Sequence, residues 1–321
     1  MKSPIFIFSL PRSGSTLLQR ILMSHSSIAS SAEPWFLLPF IYSRKNEGVV
    51  SEYSNELLQS AMKEFIDCFP NGESDYNNEL REFCLSLYQK HCKNEEFYFL
   101  DKTPRYYLIV EEIVELFPEA KFIFLVRSPI QVLASVINTW AAGGFRALYR
   151  FDNDFQQGPK LLAKSIIDFE EIGYVVKYED LVNNPEIELI SLFAYLGLDY
   201  EPEVLQEFAE VSFEGKFGDP TGPAKYKSIS IKSEHAWREV FDSHLRKAWL
   251  SRYLRSFDEA ILYRLGYPKT GLLDLLKNHR VNKLFSISDA FHMMYNRVVI
   301  RFQLKLWLTR YVKENKTKYM S

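Results

Sequence analysis

Cysteine is scarce in this sequence. The 321 residues include three cysteines, Cys68, Cys84 and Cys92, and no two of them form a CxxC pair. An odd and unpaired set argues against a disulfide framework and against a cysteine metal centre, and it fits a reducing compartment. The six histidines are scattered along the chain as well. The sequence therefore predicts no metal site.

Long apolar runs are missing too. No run reaches the roughly 20 residues that a membrane-spanning helix needs. A predicted strand follows Met1 almost at once, which leaves no room for the charged segment and apolar core of a signal peptide. The sequence also has no internal repeat and no low-complexity tract. We therefore expect a cytoplasmic protein with a globular fold.

Neither sign of charge dominates the whole chain, whose formal net charge is −2, but the charges are unevenly spread. Residues 269–321 contain eleven Lys and Arg against three acids, a net charge of +8, which leaves −10 for residues 1–268. A basic end on an acidic body is typical of a protein that meets an anionic surface.

The sequence does contain a regular alternation of strand and helix patterns. Apolar strand patterns cover Pro4–Ser9, Glu96–Leu100, Lys121–Val126 and Tyr174–Lys177. Helical patterns cover Ser15–His25, two stretches within Val49–Cys92, and then Pro104–Phe117, Ser128–Trp140, Pro185–Leu196 and His235–Leu265. The third strand pattern, KFIFLV, is apolar on both faces, as a central parallel strand requires. The alternation predicts an α/β fold in which helices flank a central parallel sheet on both faces.

Residues 1–268 are predicted to form one domain with a helical insertion at about 49–95, followed by a helical extension over 269–321. Residues 290–313 in this extension have a basic amphipathic pattern, with Arg297, Arg301 and Lys305 along one stripe. Such a helix can lie in a membrane interface, so we expect peripheral contact with the inner face of a membrane. The alternative is a helix packed on the domain or on a second subunit, which would make a homodimer.

The first chemical motif is PRSGST, residues 11–16, between the first strand pattern and the first helix pattern. A turn that feeds a helix presents free backbone N–H groups and the positive end of the helix dipole, which suits a phosphate or sulfate. Gly14 allows close backbone approach, and Arg12 adds a fixed charge with several donors. Hydroxyl groups come from Ser13, Ser15 and Thr16. The alternative is a plain turn with serine as the helix cap.

This motif lacks the Gly-Lys-Ser/Thr of nucleotide triphosphatases. Those proteins use the lysine on the outer phosphates and the hydroxyl on magnesium. No acidic residue ends a neighbouring predicted strand where it would hold magnesium. The motif therefore points away from ATP hydrolysis, and a nucleotide-dependent kinase is kept as an alternative.

The second motif is LVRSPIQVLAS, residues 125–135. Arg127 follows a buried predicted strand at its carboxyl end, where ligands bind in open parallel sheets. Ser135 lies two helical turns beyond Ser128 on the next predicted helix. An anion is expected here because a buried arginine without one is costly; the alternative is pairing with a carboxylate.

Together the two motifs resemble those of sulfotransferases that use 3'-phosphoadenosine 5'-phosphosulfate (PAPS), and the resemblance runs over most of residues 4–268. It implies a P-loop-like fold, with PAPS as co-substrate and adenosine 3',5'-bisphosphate (PAP) as product. Residues 11–16 would form the 5'-phosphosulfate loop, and Arg127 and Ser135 the 3'-phosphate site. The family chemistry needs no metal.

Arg12 in the loop is typical of the tyrosylprotein sulfotransferases and many bacterial relatives. That resemblance implies roles for Glu33 after the first helix, for Lys102 before the second crossover helix, and for Tyr178 after the fourth predicted strand. A late loop over residues 218–226 would close over the nucleotide. Thr139 departs from the subgroup, which has an arginine there, so Lys225 or Lys232 is expected to supply that charge.

The resemblance implies in-line displacement, with Glu33 as the base that removes the acceptor proton. Arg12 and Lys102 would stabilise charge on the leaving phosphate. His235 is a rival base. We expect a saccharide or glycolipid hydroxyl as acceptor, with a tyrosine hydroxyl second, and no nucleic-acid partner. A non-catalytic nucleotide-binding relative is a further alternative.

Overall fold

A computed structural model describes residues 1–45, 48–49, 51–94, 96–141, 143–145, 148–213, 229, 235–302 and 304. The chain divides into two compact units. The first unit contains residues 1–126 and 165–229, and the second contains residues 127–164 and 230–321.

At least one helix separates each described strand from the next, and the described elements after the last strand are helices. The strands are β1 (Ser3–Ser9), β2 (Ile28–Ser30), β3 (Tyr98–Asp101), β4 (Lys121–Val126) and β5 (Gly173–Lys177). The helices are α1 (Ser15–Met23), α2 (Leu37–Tyr42), α3 (Asn55–Asp67), α4 (Glu73–Gln89), α5 (Val110–Leu116), α6 (Pro129–Trp140), α7 (Asp152–Gln156), α8 (Gly158–Asp168), α9 (Tyr178–Asn183), α10 (Pro185–Leu196), α11 (Val204–Glu207), α12 (Trp237–Val240), α13 (His244–Arg255), α14 (Glu259–Arg264), α15 (Lys269–Asn278) and α16 (Ile287–Arg301). Short 3-10 helices cover Tyr106–Leu108 and Leu148–Phe151.

The first unit is built on a five-stranded sheet in the order β2-β3-β1-β4-β5, and every neighbouring pair is parallel. Strand β1 is central, with Phe6 opposite Asp101 on β3 and Phe122 on β4. The predicted parallel sheet is therefore confirmed. Strand β2 was not predicted, because three residues are too few to show an alternating pattern.

The two faces of this sheet carry different apolar side chains. On one face, Ile5 and Ile7 of β1 and Ile123 and Leu125 of β4 belong to a buried cluster with residues of α1 and α10. On the other face, phenylalanine rings lie side by side, with the Phe6 and Phe122 centroids 6.2 Å apart. Helix α4 covers this second face through Tyr88, and Phe117 follows α5 there. Helices thus cover both faces, and the predicted three-layer α/β class is confirmed.

Two predicted helices differ from the structure in their bounds. The pattern over Pro104–Phe117 forms a 3-10 turn and then α5, because Ile109 takes φ −141° and ψ 32°, outside the helical region. The pattern over His235–Leu265 is divided into α12, α13 and α14. Ser243 and Asp258 interrupt it as extended cap residues whose side chains accept hydrogen bonds from the next helix.

The second unit is helical. Ile130, Leu133 and Ile137 of α6 share a buried cluster with Phe241 and Leu250. Helices α15 and α16 belong to this unit, so the described part of residues 269–321 packs with α13. A domain boundary at Pro268 stays a prediction. Among the described helices, none combines the length and the apolar character needed to cross a bilayer.

Candidate functional site

The predicted site residues of the first unit follow the carboxyl ends of its parallel strands. Strand β1 leads into residues 11–16, β2 is followed by Glu33, β3 by Lys102 and β5 by Tyr178. The carboxyl edge of an open parallel sheet is where such folds bind ligands. The sheet therefore assembles at one edge residues that are up to 167 positions apart in the sequence.

The loop after β1 has a strained backbone. Arg12 has φ 71° and Gly14 has φ 97°, both in the left-handed region. Helix α1 begins at Ser15 with Gly14 as its N-cap residue, and no side chain caps it. This corrects the alternative in which serine caps the helix. The uncapped amides and the helix dipole fit a phosphate or sulfate group, which supports the anion role predicted for this loop.

Tyr178 lies directly against this loop. A Cβ atom added to Gly14 would come within 2.4 Å of Cδ2 of the Tyr178 ring, far closer than a side chain tolerates. Glycine is therefore required at position 14 for two reasons: its backbone is left-handed, and the tyrosine ring leaves no space for a side chain. Tyr178 stands at the start of α9, immediately after β5, and is buried.

Glu33 and Lys102 form an ion pair beside the loop. Lys102 Nζ donates to Glu33 Oε1 at 2.6 Å and contacts Thr16 Oγ1 at 3.4 Å. The Lys102 side chain is 2% exposed and that of Glu33 is 9% exposed. One ammonium group thus lies between the predicted base and the predicted anion loop, in a setting with little water to screen its charge.

Trp35 fixes the other oxygen of Glu33. Its indole Nε1 donates to Glu33 Oε2 at 3.0 Å, and its backbone N donates to Thr103 Oγ1 at 3.3 Å. Trp35 has φ 61°, a conformation that is strained for a bulky residue. Strain of this kind is typical of residues held in place for function. The sequence analysis did not identify Trp35, since a left-handed tryptophan has no sequence pattern.

Helix α1 also positions the segment that carries Glu33. Gln19 Nε2 donates to Ser30 Oγ at 2.8 Å and to the carbonyl oxygen of Ser31 at 2.9 Å. Ser30 Oγ in turn donates to the carbonyl oxygen of Leu100 on β3 at 2.7 Å. The end of β2 is therefore tied to the helix behind the anion loop and to the strand that precedes Lys102.

Asp101 is a further residue that the sequence analysis missed. The second strand pattern was predicted to end at Leu100, but β3 extends to Asp101 and pairs with β1, so an acidic residue does end a neighbouring strand. The prediction that no such residue is placed to hold magnesium is not contradicted. Asp101 is fully buried, and its carboxylate accepts hydrogen bonds from Tyr88 at 2.6 Å, Tyr106 at 3.1 Å and Thr103 at 3.3 Å. Three protein donors occupy this carboxylate, so it does not resemble a magnesium ligand.

Burial raises the pKa of Asp101 to about 6, although the hydrogen bonds from Tyr88, Tyr106 and Thr103 and the charge of Lys102 lower it. Burial likewise raises the pKa of the Tyr88 and Tyr106 hydroxyls well above 10.0. Both tyrosines therefore stay protonated and act as donors. Since Thr103 also accepts from Trp35, a chain of hydrogen bonds runs from Asp101 to Glu33.

Arg127 and Ser135 belong to the second unit. Arg127 is the residue after β4 in the chain, and its Nε donates to Gln131 Oε1 at 3.0 Å. Ser135 and Thr139 lie on α6, where both are half-buried. Their 3'-phosphate role stays a prediction.

Lys225, Lys232 and the late loop over residues 218–226 lie outside the described residues. The rival base His235 is described and exposed, just before α12. In the described ranges, no group of three or more His, Cys, Asp or Glu is placed to hold a metal ion.

Comparison with known proteins agrees with the family resemblance of the two motifs. The sequence model described as "Sulfotransferase family" matches residues 4–202. The nodulation protein NoeE of Sinorhizobium fredii is 27% identical over 256 residues, which cover 73% of this chain and 59% of NoeE. A protein-tyrosine sulfotransferase of Drosophila melanogaster is 27% identical over 207 residues, which cover 63% of this chain and 39% of that protein.

A solved structure has a similar fold. The sulfotransferase domain from the curacin biosynthetic pathway is 26% identical, has a TM-score of 0.50, and is matched over 83% of this chain and 98% of that domain. The chain thus spans nearly all of that domain but only about half the length of the two curated relatives, 59% and 39%.

Proposed function

Because the chain belongs to the sulfotransferase family, we propose that it transfers a sulfuryl group from PAPS to an acceptor hydroxyl and releases PAP. The observation that carries this proposal is the position of Lys102, whose ammonium group joins Glu33 to Thr16 of the anion loop. A carboxylate that removes a proton and a loop that holds an anion are the two parts that such a transfer needs.

The donor would be held by the loop over residues 11–16 at its 5' end. The uncapped start of α1 and the guanidinium of Arg12 suit the phosphosulfate group. Arg127 and Ser135 would hold the 3'-phosphate. Lys225 or Lys232 would supply the charge that Thr139 lacks. Tyr178, packed against Gly14, would border the bound nucleotide at the loop.

Glu33 would act as the base. Its Oε1 and Oε2 atoms are oriented by Lys102 and Trp35, so the carboxylate is held ready to accept the acceptor's hydroxyl proton. Bound PAPS supplies the activated sulfuryl group and a phosphate leaving group. Once Glu33 is protonated it no longer neutralises Lys102, whose full charge is then available to the loop side of the site. Proton removal and stabilisation of the developing charge are in this way coupled through one ammonium group.

The acceptor would be a saccharide or glycolipid hydroxyl, with the tyrosine hydroxyl of a polypeptide as the second candidate. The relative named as a protein-tyrosine sulfotransferase supports keeping tyrosine in the screen. The segments expected to shape the acceptor pocket are residues 36–92 and 143–159, which lie beside the motifs in sequence but match no ligand signature.

The test is a transfer assay with radiolabelled PAPS and the full chain. Oligosaccharides, glycolipids and tyrosine peptides serve as acceptors, and PAP release is measured in parallel. We expect label in a saccharide or glycolipid and PAP in equal amount. Label in tyrosine peptides alone would select the second acceptor class. Phosphate transfer from ATP and magnesium, with no sulfuryl transfer, would favour the kinase alternative and overturn the proposal.

A further inference from the structure

Helix α16 has its polar and apolar faces reversed with respect to the protein. The side that packs on the second unit contains Asp289 and Asn296, both buried, together with Val299. The outward side contains Ile287, Phe291, Met294 and Val298, which are 81%, 59%, 61% and 44% exposed. Positions spaced by four, three and four residues lie on one helical stripe. A water-facing helix normally has the opposite arrangement.

Buried polar contacts fix this orientation. Asp289 accepts two hydrogen bonds from Arg246 of α13, at 2.7 Å from Nε and 2.9 Å from the second guanidinium nitrogen. Asn296 Nδ2 donates to the carbonyl oxygen of Phe145 at 2.7 Å, and its Oδ1 accepts from the backbone N of Tyr149 at 3.2 Å. Rotating the helix to bury its apolar side would break all four bonds. These buried hydrogen bonds therefore hold the apolar side of α16 outward.

The exposed apolar side extends beyond the helix in both directions. We define the apolar stripe as Leu284, Phe285, Ile287, Phe291, Met294, Val298 and Phe302, all of which are exposed. Seven large exposed apolar side chains along one short stretch of chain exceed what a monomeric soluble protein usually presents to water. Such a patch is typical of a surface that binds a partner.

The charges around the apolar stripe indicate which kind of partner it binds. Between Leu275 and Phe302 there are five Lys and Arg residues, of which Lys283 pairs with Asp242, and one acid, Asp289, which is buried against Arg246. Arg297 and Arg301 flank the stripe and are exposed. The surface is thus cationic, and two copies facing each other would repel. An anionic partner is favoured.

A basic cleft lies at the beginning of the stripe. The cleft has a volume of about 600 Å³, and its lining includes His244, Lys247, Arg255, Lys277 and one acid, Asp274. The backbone N of His244 donates to the carbonyl oxygen of Lys283, and that of Leu245 to Leu284, so the cleft adjoins the first stripe residue. Basic side chains suit the headgroups of anionic lipids, and the apolar side chains next to them suit the acyl chains.

We propose that this face docks the protein on the surface of a bilayer that contains anionic lipid. The apolar stripe enters the boundary between headgroups and acyl chains, while Arg297, Arg301 and the basic cleft contact the headgroups. Apolar insertion and electrostatic attraction together are the usual source of affinity for interfacial helices. The surface lies apart in the sequence from the predicted site residues of the first unit, so the docking does not depend on the proposed reaction.

The test is sedimentation of the full chain with phosphatidylserine-containing vesicles and with phosphatidylcholine vesicles. The variant Phe291→Ser/Met294→Ser removes two stripe side chains, and Leu57→Ser/Phe65→Ser removes two comparably exposed apolar side chains from α3 as a matched control. We expect the wild type and the control to sediment with the anionic vesicles and the stripe variant to bind at least about tenfold more weakly. High salt should also weaken binding.

A second variant, Arg297→Gln/Arg301→Gln, should reduce the preference for anionic vesicles, because the cations of the basic cleft remain. All these side chains are exposed, so unchanged circular dichroism is expected. Equal sedimentation of the wild type and the stripe variant, or none for either, would overturn the proposal. Dimers of the wild type that the stripe variant converts to monomers, without vesicle binding, would show that a second copy covers this face instead.

Discussion

Glu33 and Lys102 pair with each other while each also contacts a second element of the site. Lys102 reaches Thr16, and Glu33 accepts from Trp35. We predict that Glu33→Gln lowers kcat by about a hundredfold to ten-thousandfold, the usual contribution of a positioned base, and does not weaken PAP binding. Initial-rate kinetics and calorimetry measure the two quantities.

The matched control is Glu73→Gln, an exposed carboxylate paired with Arg44 at 2.7 Å. It should change neither quantity, since surface ion pairs contribute little. A Glu33→Gln variant that kept wild-type kcat would remove Glu33 as the base.

Asp101 gives the protein a pH-dependent stability. Its pKa is raised from 3.8 to about 6 by burial, so between those values the folded state binds more protons than the unfolded state. Its contribution to the free energy of unfolding is therefore greatest below the unfolded pKa and falls as pH rises through the folded pKa, by on the order of 3 kcal/mol. In Asp101→Asn this change is absent. Urea unfolding of both proteins across this range measures it.

Asp75→Asn is the control of opposite sign. The side chain and backbone of Asn71 lower the pKa of exposed Asp75 by hydrogen bonding, so its small contribution to stability is present at neutral pH and lost as pH falls. If wild type and Asp101→Asn had parallel stability profiles between about pH 4 and pH 6, Asp101 would not titrate as described.

At this scale the sequence supports some assignments and misses others. Residues 11–16 could be singled out because their motif follows a predicted strand, whereas Glu33, Lys102 and Tyr178 were singled out through the family resemblance, and their roles stay predictions. Asp101 and Trp35 could not be singled out, since their roles depend on contacts with Tyr88, Tyr106 and Thr103 that come from separate elements.

At the scale of elements, the turn from β1 into α1 depends on glycine at position 14. Gly14→Ala meets the Tyr178 ring at 2.4 Å and has φ 97°, whereas Gly197→Ala has φ 74° with no atom within 4 Å of the added Cβ. Both variants should lose about 1 kcal/mol of stability from the left-handed backbone, and Gly14→Ala should lose more because its Cβ meets the Tyr178 ring. Only Gly14→Ala should also lose PAP binding. Denaturation and calorimetry measure these effects, and equal PAP binding by both variants would contradict the role of the loop.

Sequence patterns predict the strands and helices better than they predict where each one begins and ends. The four predicted strands were found because their apolar residues alternate or run continuously, as in KFIFLV. Strand β2 has three residues, IAS, and was missed. Helix α5 begins at Val110 instead of Pro104 because the backbone of Ile109 is not helical. The helix propensities of the neighbouring residues do not predict those backbone angles.

Within the second unit, the Arg246–Asp289 pair should determine where α16 sits. Asp289→Asn leaves a largely buried guanidinium without its carboxylate, so we expect a loss of about 3 kcal/mol in unfolding free energy. Asp242→Asn breaks the more exposed pair with Lys283 and should cost less than about 1 kcal/mol. Equal losses for the two variants in urea unfolding would contradict the anchoring role of Asp289.

For the whole molecule, we propose that the chain binds PAP, and residues 11–16 and Arg127 are the residues predicted to contact its phosphate groups. The most direct measurement is calorimetric titration of the full chain with PAP, alongside AMP and ATP with magnesium. We predict tight binding of PAP alone, and its loss in Arg127→Ala. Binding of ATP as tight as that of PAP, or tighter, would contradict the account and favour a kinase.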